Sequence, residues 1–112
     1  METLLVLTHL PDEKTAREMA GILVERRLAA CVNVLAPCRS VYRWQGSVED
    51  TAEVPLLIKT PAARYAALEA AIRERHPYEL PEIVAVPIAC GLPDYLAWVA
   101  GETLDPTDTA PC

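Results

Sequence analysis

The chain has 112 residues, of which 52% are hydrophobic and 23% charged, and its formal net charge at neutral pH is −6. A chain of this length forms one domain around one core, and its apolar content is too high for a disordered polymer. The negative charge repels polyphosphate and so argues against a nucleic-acid partner. The longest strongly apolar run is Leu4–Leu7, far shorter than the roughly 20 residues that span a bilayer.

The N-terminus predicts a cytoplasmic protein, and this location in turn predicts the state of the cysteines. Met1 and Glu2 lead directly into a strand-like segment, without the positive region, long apolar stretch and small-residue cleavage site of a signal peptide. In a reducing compartment the four cysteines are expected to be free thiols. They are Cys31, Cys38, Cys90 and Cys112, and no two of them form a C-x-x-C pair.

The first half of the chain predicts a strand, a helix and a hairpin. Residues 3–8 are continuously apolar, as in a central strand. Asp12 is the predicted N-cap of a helix, because apolar residues then recur at helical spacing, at Ala16, Met19, Ala20 and Leu23. Residues 30–44 alternate with a period of two and predict a long second strand bent at a proline. A turn at residues 45–47 leads towards a third, antiparallel strand at residues 54–59.

The second half predicts a helix, a strand and a short terminal helix. Thr60-Pro61 is a typical helix start, with a hydroxyl at the N-cap and proline at the first helical position. His76-Pro77 ends this helix, because proline disfavours helical geometry in the residue before it. Residues 82–88 form the fourth predicted strand.

The resulting order, β-α-β-β-α-β, predicts an α+β fold of the ferredoxin-like type, with both helices on one face of a four-stranded antiparallel sheet. A short C-terminal helix follows from Leu92. The domain is predicted to span residues 1–101, and residues 102–112 to form a flexible tail. A sheet face without helices and a long hairpin between the second and third strands predict self-association, because such surfaces and strand edges are normally covered.

Several functions known for this topology lack their residues here. The two central strands carry no aromatic residues to stack RNA bases. The segment after the first strand, residues 8–13, lacks the cysteine pair of a metallochaperone and the arginine and glycines of a phosphate cradle. Cys31 with His9 or His76 leaves a nucleophilic pair open, although a buried, reduced cysteine is the favoured interpretation. The sequence thus favours a binding protein over an enzyme.

The loop at residues 76–82 is the most distinctive segment. It combines His76, Tyr78, Glu79 and Glu82 with two prolines at the end of a helix, where partial negative charge favours cations. Such a loop could hold a metal or a polar small molecule. Alternatively, His76 bonds the last helical carbonyls and the prolines only delimit elements.

Other candidate residues also have two interpretations. Tyr42 and Trp44 either line a cleft between subunits or only pack the hairpin. Lys59 either binds an anion or extends from the strand end into solvent. The acidic residues Glu49, Asp50 and Glu53 are expected to form a solvated hairpin face.

Across residues 3–100 the chain closely resembles the CutA divalent-cation tolerance proteins. The motifs that carry the resemblance are Leu28-Ala29-Ala30-Cys31-Val32-Asn33, Ser40-Val41-Tyr42-Arg43-Trp44-Gln45-Gly46, Lys59-Thr60, His76-Pro77-Tyr78-Glu79-Leu80-Pro81-Glu82-Ile83 and Tyr95-Leu96-Ala97-Trp98. The resemblance implies a homotrimer formed through the long hairpins and a role in tolerance of divalent metals, copper above all. It implies no reaction, and the similarity of the trimer to PII signalling proteins keeps a small-ligand sensor as the alternative.

The resemblance also implies site residues. His76 matches the motif histidine and Cys31 the strand cysteine, so these two are the expected metal ligands, for Cu(II) or another divalent cation. The chemistry of the loop, the hairpin and the strand end, rather than the resemblance, makes Tyr78, Glu79, Glu82, Trp44 and Lys59 the expected ligand-binding residues. Some relatives have cysteine in place of Thr8 and histidine in place of Arg75, so metal binding here is expected to be weak or completed across an interface.

Overall fold

The computed structural model describes residues 2–104 as one five-stranded antiparallel sheet with three helices. The strands are β1 (Thr3–Leu10), β2 (Cys31–Val34), β3 (Cys38–Trp44), β4 (Ser47–Pro61) and β5 (Ile83–Pro87). The helices are α1 (Glu13–Glu25), α2 (Tyr65–Arg75) and α3 (Pro93–Glu102), with a 3₁₀ turn at Ala62–Arg64. The strand order is β2-β4-β1-β5, and β3 pairs with the first half of β4. This is the ferredoxin-like arrangement that the sequence predicts.

The core lies between one face of the sheet and the helices α1 and α2. Alternate residues of the two central strands point into it, as the pairing of Val6 with Ile58 and of Leu10 with Val54 illustrates. Leu68 and Ile72 of α2 pack against this face of the sheet and are fully buried. Burying each such side chain contributes roughly 1.5–3 kcal/mol.

Helix α1 begins as predicted. The Asp12 carboxylate accepts a hydrogen bond of 2.7 Å from the Thr15 amide, which caps the helix and lowers the pKa of Asp12. Ala16, Met19 and Leu23 form its buried stripe. After the helix, the positive φ of 58° at Arg27 turns the chain towards β2.

The predicted second strand is in fact two strands, and their common partner is much longer than predicted. Pro37 lies in the gap between β2 and β3, where no amide is needed for sheet pairing. The 15-residue β4 pairs with both of them and contains the acidic segment that was expected to precede it. Gln45 and Gly46, with φ of 50° and 84°, form the tight hairpin turn between β3 and β4.

The predicted start of the second helix at Thr60-Pro61 is wrong. Both residues end β4, where Thr60 pairs with Leu4, and α2 begins only at Tyr65. The Thr60 hydroxyl donates to the Leu28 carbonyl at 2.7 Å instead of capping a helix. A tertiary hydrogen bond therefore overrides a strong local signal.

Helix α3 contacts β1 and β4 and approaches Cys31, which hydrogen-bonds with Tyr95. Cys31 points away from the core, since its neighbour Val32 packs into it. The helix includes Glu102, and Thr103 after it is buried and donates to the Val99 carbonyl at 2.8 Å. Most of the predicted tail, from residue 105 onward, lies outside the described residues. Within residues 2–104 no helix is long and apolar enough to cross a membrane.

Candidate functional site

A cleft opens between the β3–β4 hairpin and the loop at residues 76–82. It consists of two adjacent cavities of about 340 Å³ and 420 Å³ that share Tyr42, Tyr78 and Leu80. We call it the hairpin cleft. Its polar half is lined in addition by His9, Ser40, Val41, Glu53 and Glu82, and its aromatic half by Trp44, Thr51, Pro77 and Glu79.

The pairing register of the hairpin determines which side chains reach the cleft. Directly paired residues share a face of the sheet, and Ser40 pairs with Thr51. Tyr42 and Trp44 follow at intervals of two along β3, and Glu53 lies two residues beyond Thr51 on β4. One face of the hairpin therefore presents all five residues to the loop.

His76 anchors that loop to the sheet. Its side chain is buried, and its Nδ1 accepts a hydrogen bond of 3.1 Å from the Tyr78 amide, which can only donate. The proton therefore sits on Nε2, which donates to the His9 carbonyl at 2.6 Å. Burial lowers the pKa of His76, and the bond to His9 and the charge of Glu53 partly oppose this effect.

This geometry differs from the expected metal-ligand role of His76. Both ring nitrogens are hydrogen-bonded, so a metal ion could bind the ring only after one of these bonds breaks. It also differs from the alternative interpretation, because the ring bonds a carbonyl of β1 rather than the last carbonyls of its own helix.

A second histidine faces the cleft. His9, near the end of β1, places Nδ1 3.4 Å from the Glu82 carboxylate oxygen Oε1. The His9 side chain is 19% exposed and the Glu82 side chain 50%, so this pair lies partly open to solvent. An imidazole nitrogen and a carboxylate oxygen are together typical ligands of Cu(II) and Zn(II).

Glu53 supplies a second carboxylate to the polar half. It is only 7% exposed and accepts a hydrogen bond from the Tyr78 hydroxyl. Burial, followed by this bond and the charge of Glu53, raises the pKa of Tyr78 to about 12. The Tyr78 ring also packs 4.8 Å from that of His76, centroid to centroid. The expectation that Glu53 is part of a solvated acidic face is wrong.

Cys31 and Lys59 lie elsewhere. They pair with each other across β2 and β4, at the level of Leu5 on β1. His9 is four residues further along β1, which corresponds to about 13 Å at the rise of a strand. The Lys59 ammonium donates to the Asn33 side-chain oxygen, and the Cys31 sulfur lies 4.0 Å from that oxygen.

The structure thus does not bring the two expected metal ligands together. In the part of the chain that the structure describes, no three His, Cys, Asp or Glu side chains cluster closely enough to hold a metal ion. Four of the expected ligand-binding residues do line the hairpin cleft: Trp44, Tyr78, Glu79 and Glu82.

His9 and Glu53 are the cleft residues that sequence reasoning missed as ligands. A signal existed for His9, since an antiparallel pair of β1 with β5 places Thr8 opposite Ile83 and therefore His9 near Glu82. No such local signal existed for Glu53, because its burial depends on Tyr78, which lies 25 residues further along the chain.

Comparison with known proteins identifies relatives over nearly the whole chain. A family model described as CutA1 divalent ion tolerance protein matches residues 4–102. The divalent-cation tolerance protein CutA of Thermus thermophilus is 47% identical over 98 residues, which are 88% of this chain and 95% of that protein. Protein CutA of the mouse is 46% identical over 89 residues, 80% of this chain, and this chain spans about half of its length.

Solved structures agree with this match. The divalent cation tolerance protein Cut A1 of Thermus thermophilus superposes with a TM-score of 0.88 at 46% identity, covering 90% of this chain and 98% of that chain. A PII-like protein CutA from Nostoc superposes with a TM-score of 0.84 at 39% identity, covering 93% and 98%. A CutA from Archaeoglobus fulgidus described as periplasmic has a TM-score of 0.88 at 30% identity, covering 91% and 99%.

Proposed function

This chain belongs to the CutA1 divalent ion tolerance family, and we propose that it acts without catalysis, as a homotrimer that binds a divalent cation weakly. The cation we propose is Cu(II). The observation that carries the proposal is the contact of His9 with Glu82 inside a cleft that also holds the buried Glu53.

The donor set of the polar half supports copper. It offers one imidazole nitrogen and carboxylate oxygens, and among first-row divalent ions Cu(II) binds such sites most tightly. Two protein ligands at hydrogen-bonding distance from each other form only part of a coordination shell. Weak binding follows, unless a neighbouring subunit or solvent supplies the remaining ligands.

In this proposal His76 positions the site instead of binding the metal. Its ring holds the carbonyl of His9 and the amide of Tyr78, so it fixes the backbone on both sides of the polar half. Cys31 lies outside the site, on β2 and at the level of Leu5, which is about 13 Å from His9 along β1.

Two features of the sheet support the homotrimer. On the face opposite the core, Val84 and Val86 of β5 are each 48% exposed, and on the hairpin Val41 and Val48 are about 65% exposed. In addition, within the described residues β3 pairs only with β4 and β5 only with β1, so each leaves one edge unpaired. Pairing of edges between copies covers the apolar residues and the free backbone groups together.

We place this trimer in the cytoplasm. Cys31, Cys38 and Cys90 are free thiols in the structure, and Cys90 is exposed. Exposed thiols persist where thioredoxin and glutathione keep them reduced. Fractionation of cells that express the full protein tests this placement.

A small-ligand sensor of the PII-like type is the second candidate. The aromatic half of the cleft favours it, because Trp44 and Pro77 offer nothing to a metal ion. In this alternative, the apolar portion of a small ligand would fill the aromatic half of the cleft.

Calorimetric titration with copper tests the metal site. We expect Glu82→Gln and His9→Gln each to weaken copper binding about tenfold or more, since each removes a direct ligand. Binding should also weaken on acidification, because a protonated imidazole cannot coordinate. Glu18→Gln, on the exposed surface of α1, is the matched control and should bind like the wild type. Equal copper affinity in all four proteins would remove His9 and Glu82 from the site.

A further inference from the structure

We infer that the hairpin cleft takes an organic ammonium ion, a small molecule with a protonated amine on an apolar or aromatic body. The inference deepens the proposed function and rests on it in one respect, the assignment of the cleft as a cation site. It does not require the cation to be a metal.

The charge of the cleft selects a cation. Glu53, Glu79 and Glu82 line it, and within residues 2–104 no lysine or arginine does. The Tyr78 hydroxyl uses only part of the accepting capacity of the buried Glu53 carboxylate. An ammonium group brings three N–H donors, which suit the remaining lone pairs of Glu53 and the partly exposed Glu82.

The aromatic residues select an organic cation over a bare ion. Tyr42 and Tyr78 line both halves of the cleft, so a positive charge in the polar half lies beside aromatic rings that attract it. Trp44 and Pro77 of the aromatic half, together with the shared Leu80, form an apolar wall around a cavity of about 420 Å³. A metal ion gains no binding energy from this wall. The apolar body of an amine gains it, because contact with the wall removes apolar surface from water.

An unpaired hydroxyl in the aromatic half is a further, independent indication. The Oγ1 atom of Thr51 is buried and has no hydrogen-bond partner within residues 2–104. Buried polar atoms are normally paired, and this one belongs to a residue that lines the cleft. A polar group on the body of the ligand would satisfy it.

The test uses 2-phenylethylamine as the probe, with two matched compounds. The neutral 2-phenylethanol keeps the aromatic body, and phenylacetate reverses the charge. We expect the amine to bind at least tenfold more tightly than either, because only the amine forms charge-assisted hydrogen bonds with the carboxylates. Amide shifts in NMR spectra should concentrate at Tyr42, Thr51 and Tyr78 and leave Lys59 unchanged.

Two variants and a control locate the probe. Glu82→Gln keeps the shape of a half-exposed side chain and should weaken amine binding about tenfold. Tyr42→Leu should weaken it severalfold while affecting 2-phenylethanol less. Glu18→Gln should leave binding unchanged, and thermal melts confirm that each variant is folded.

The outcomes separate this inference from the proposed metal function, since copper is titrated into the same proteins. Copper binding without preference for the amine overturns the inference and leaves the metal function standing. Amine binding that depends on Glu82, without copper binding, supports the inference and overturns the metal function. Tighter binding of the alcohol or of phenylacetate overturns the assignment of the ligand class.

Discussion

Two threonines in the core differ in whether their hydroxyls are paired. Thr8 and Thr60 are both fully buried. The Thr60 hydroxyl donates to the Leu28 carbonyl at 2.7 Å, whereas Thr8 Oγ1 has no partner within residues 2–104. A buried polar group without a hydrogen bond lowers stability, and a paired one does not.

We therefore predict opposite effects of the same substitution at these positions. Thr8→Val should raise the free energy of unfolding by about 1 kcal/mol, because it removes an unpaired hydroxyl at nearly constant shape. Thr60→Val should lower it by about 1–2 kcal/mol, because it leaves the Leu28 carbonyl without its donor. Urea denaturation of the two variants beside the wild type measures both. A loss of stability in Thr8→Val would show that the hydroxyl has a partner.

His76 makes stability depend on pH. Burial lowers its pKa below the ordinary value of 6.5, so the unfolded chain takes up a proton at a higher pH than the folded protein does. The contribution of His76 to stability is therefore fully present above pH 6.5 and is lost as the pH falls through the lower pKa of the folded state. Nδ1 of His76 accepts a hydrogen bond from the Tyr78 amide. When Nδ1 is protonated it becomes a donor, so it loses this hydrogen bond and its N–H faces the amide N–H.

We predict a wild-type protein that is less stable at pH 5.5 than at pH 7.5, and a His76→Gln variant with a clearly smaller difference. Thermal unfolding at both pH values measures this. Glu18→Gln, on the exposed surface of α1, is the control and should retain the wild-type loss, because it leaves the His76 ring in place. A pH dependence that is unchanged in His76→Gln would assign the effect to other groups.

At the scale of the elements, the β3–β4 turn depends on one glycine. Gly46 has a φ of 84°, which costs other residues about 1 kcal/mol or more. Gly21, in contrast, lies within α1 with open space around its Cβ position. Glycine within a helix lowers stability by about 1 kcal/mol relative to alanine.

Replacement of each glycine by alanine should thus shift stability in opposite directions. Gly46→Ala should lower the free energy of unfolding by about 1 kcal/mol, and Gly21→Ala should raise it by up to about 1 kcal/mol. Chemical denaturation of the two variants gives the comparison. A neutral Gly46→Ala would mean that the turn adopts a different backbone geometry.

The elements also show where sequence reasoning works. Helix α1 was predicted correctly because its signals are local, from the cap at Asp12 to the buried stripe that includes Met19. The start of α2 was placed wrongly at Thr60, because the pairing of Thr60 with Leu4 and its bond to Leu28 are contacts distant in sequence.

The candidate site shows the same contrast between local signals and contacts that are distant in sequence. The loop residues Tyr78, Glu79 and Glu82 stand out in the sequence as one motif, and the structure places all three at the cleft. Their partners His9 and Glu53 come from β1 and β4, and only sheet register brings them there. Register is set by tertiary packing, which no single motif encodes.

At the scale of the whole molecule, the described chain is elongated, with extents of 55 × 27 × 23 Å. Its hairpin carries the exposed Val41 and Val48 on one face and most of the cleft residues on the other, and Val41 also lines the polar half of the cleft. A trimer that pairs these hairpins would cover the valines and bring a neighbouring copy close to the incomplete cation site. Assembly and cation binding are therefore parts of one proposal.

Native mass spectrometry of the full chain, with and without copper, tests that proposal most directly because it reports subunit number and bound metal together. We predict a species of three times the 12.3 kDa chain mass that takes up at most one copper ion per chain. The uptake should fall on acidification and in Glu82→Gln. A monomer at micromolar concentration, or a trimer that takes up no copper at neutral pH, would contradict the account.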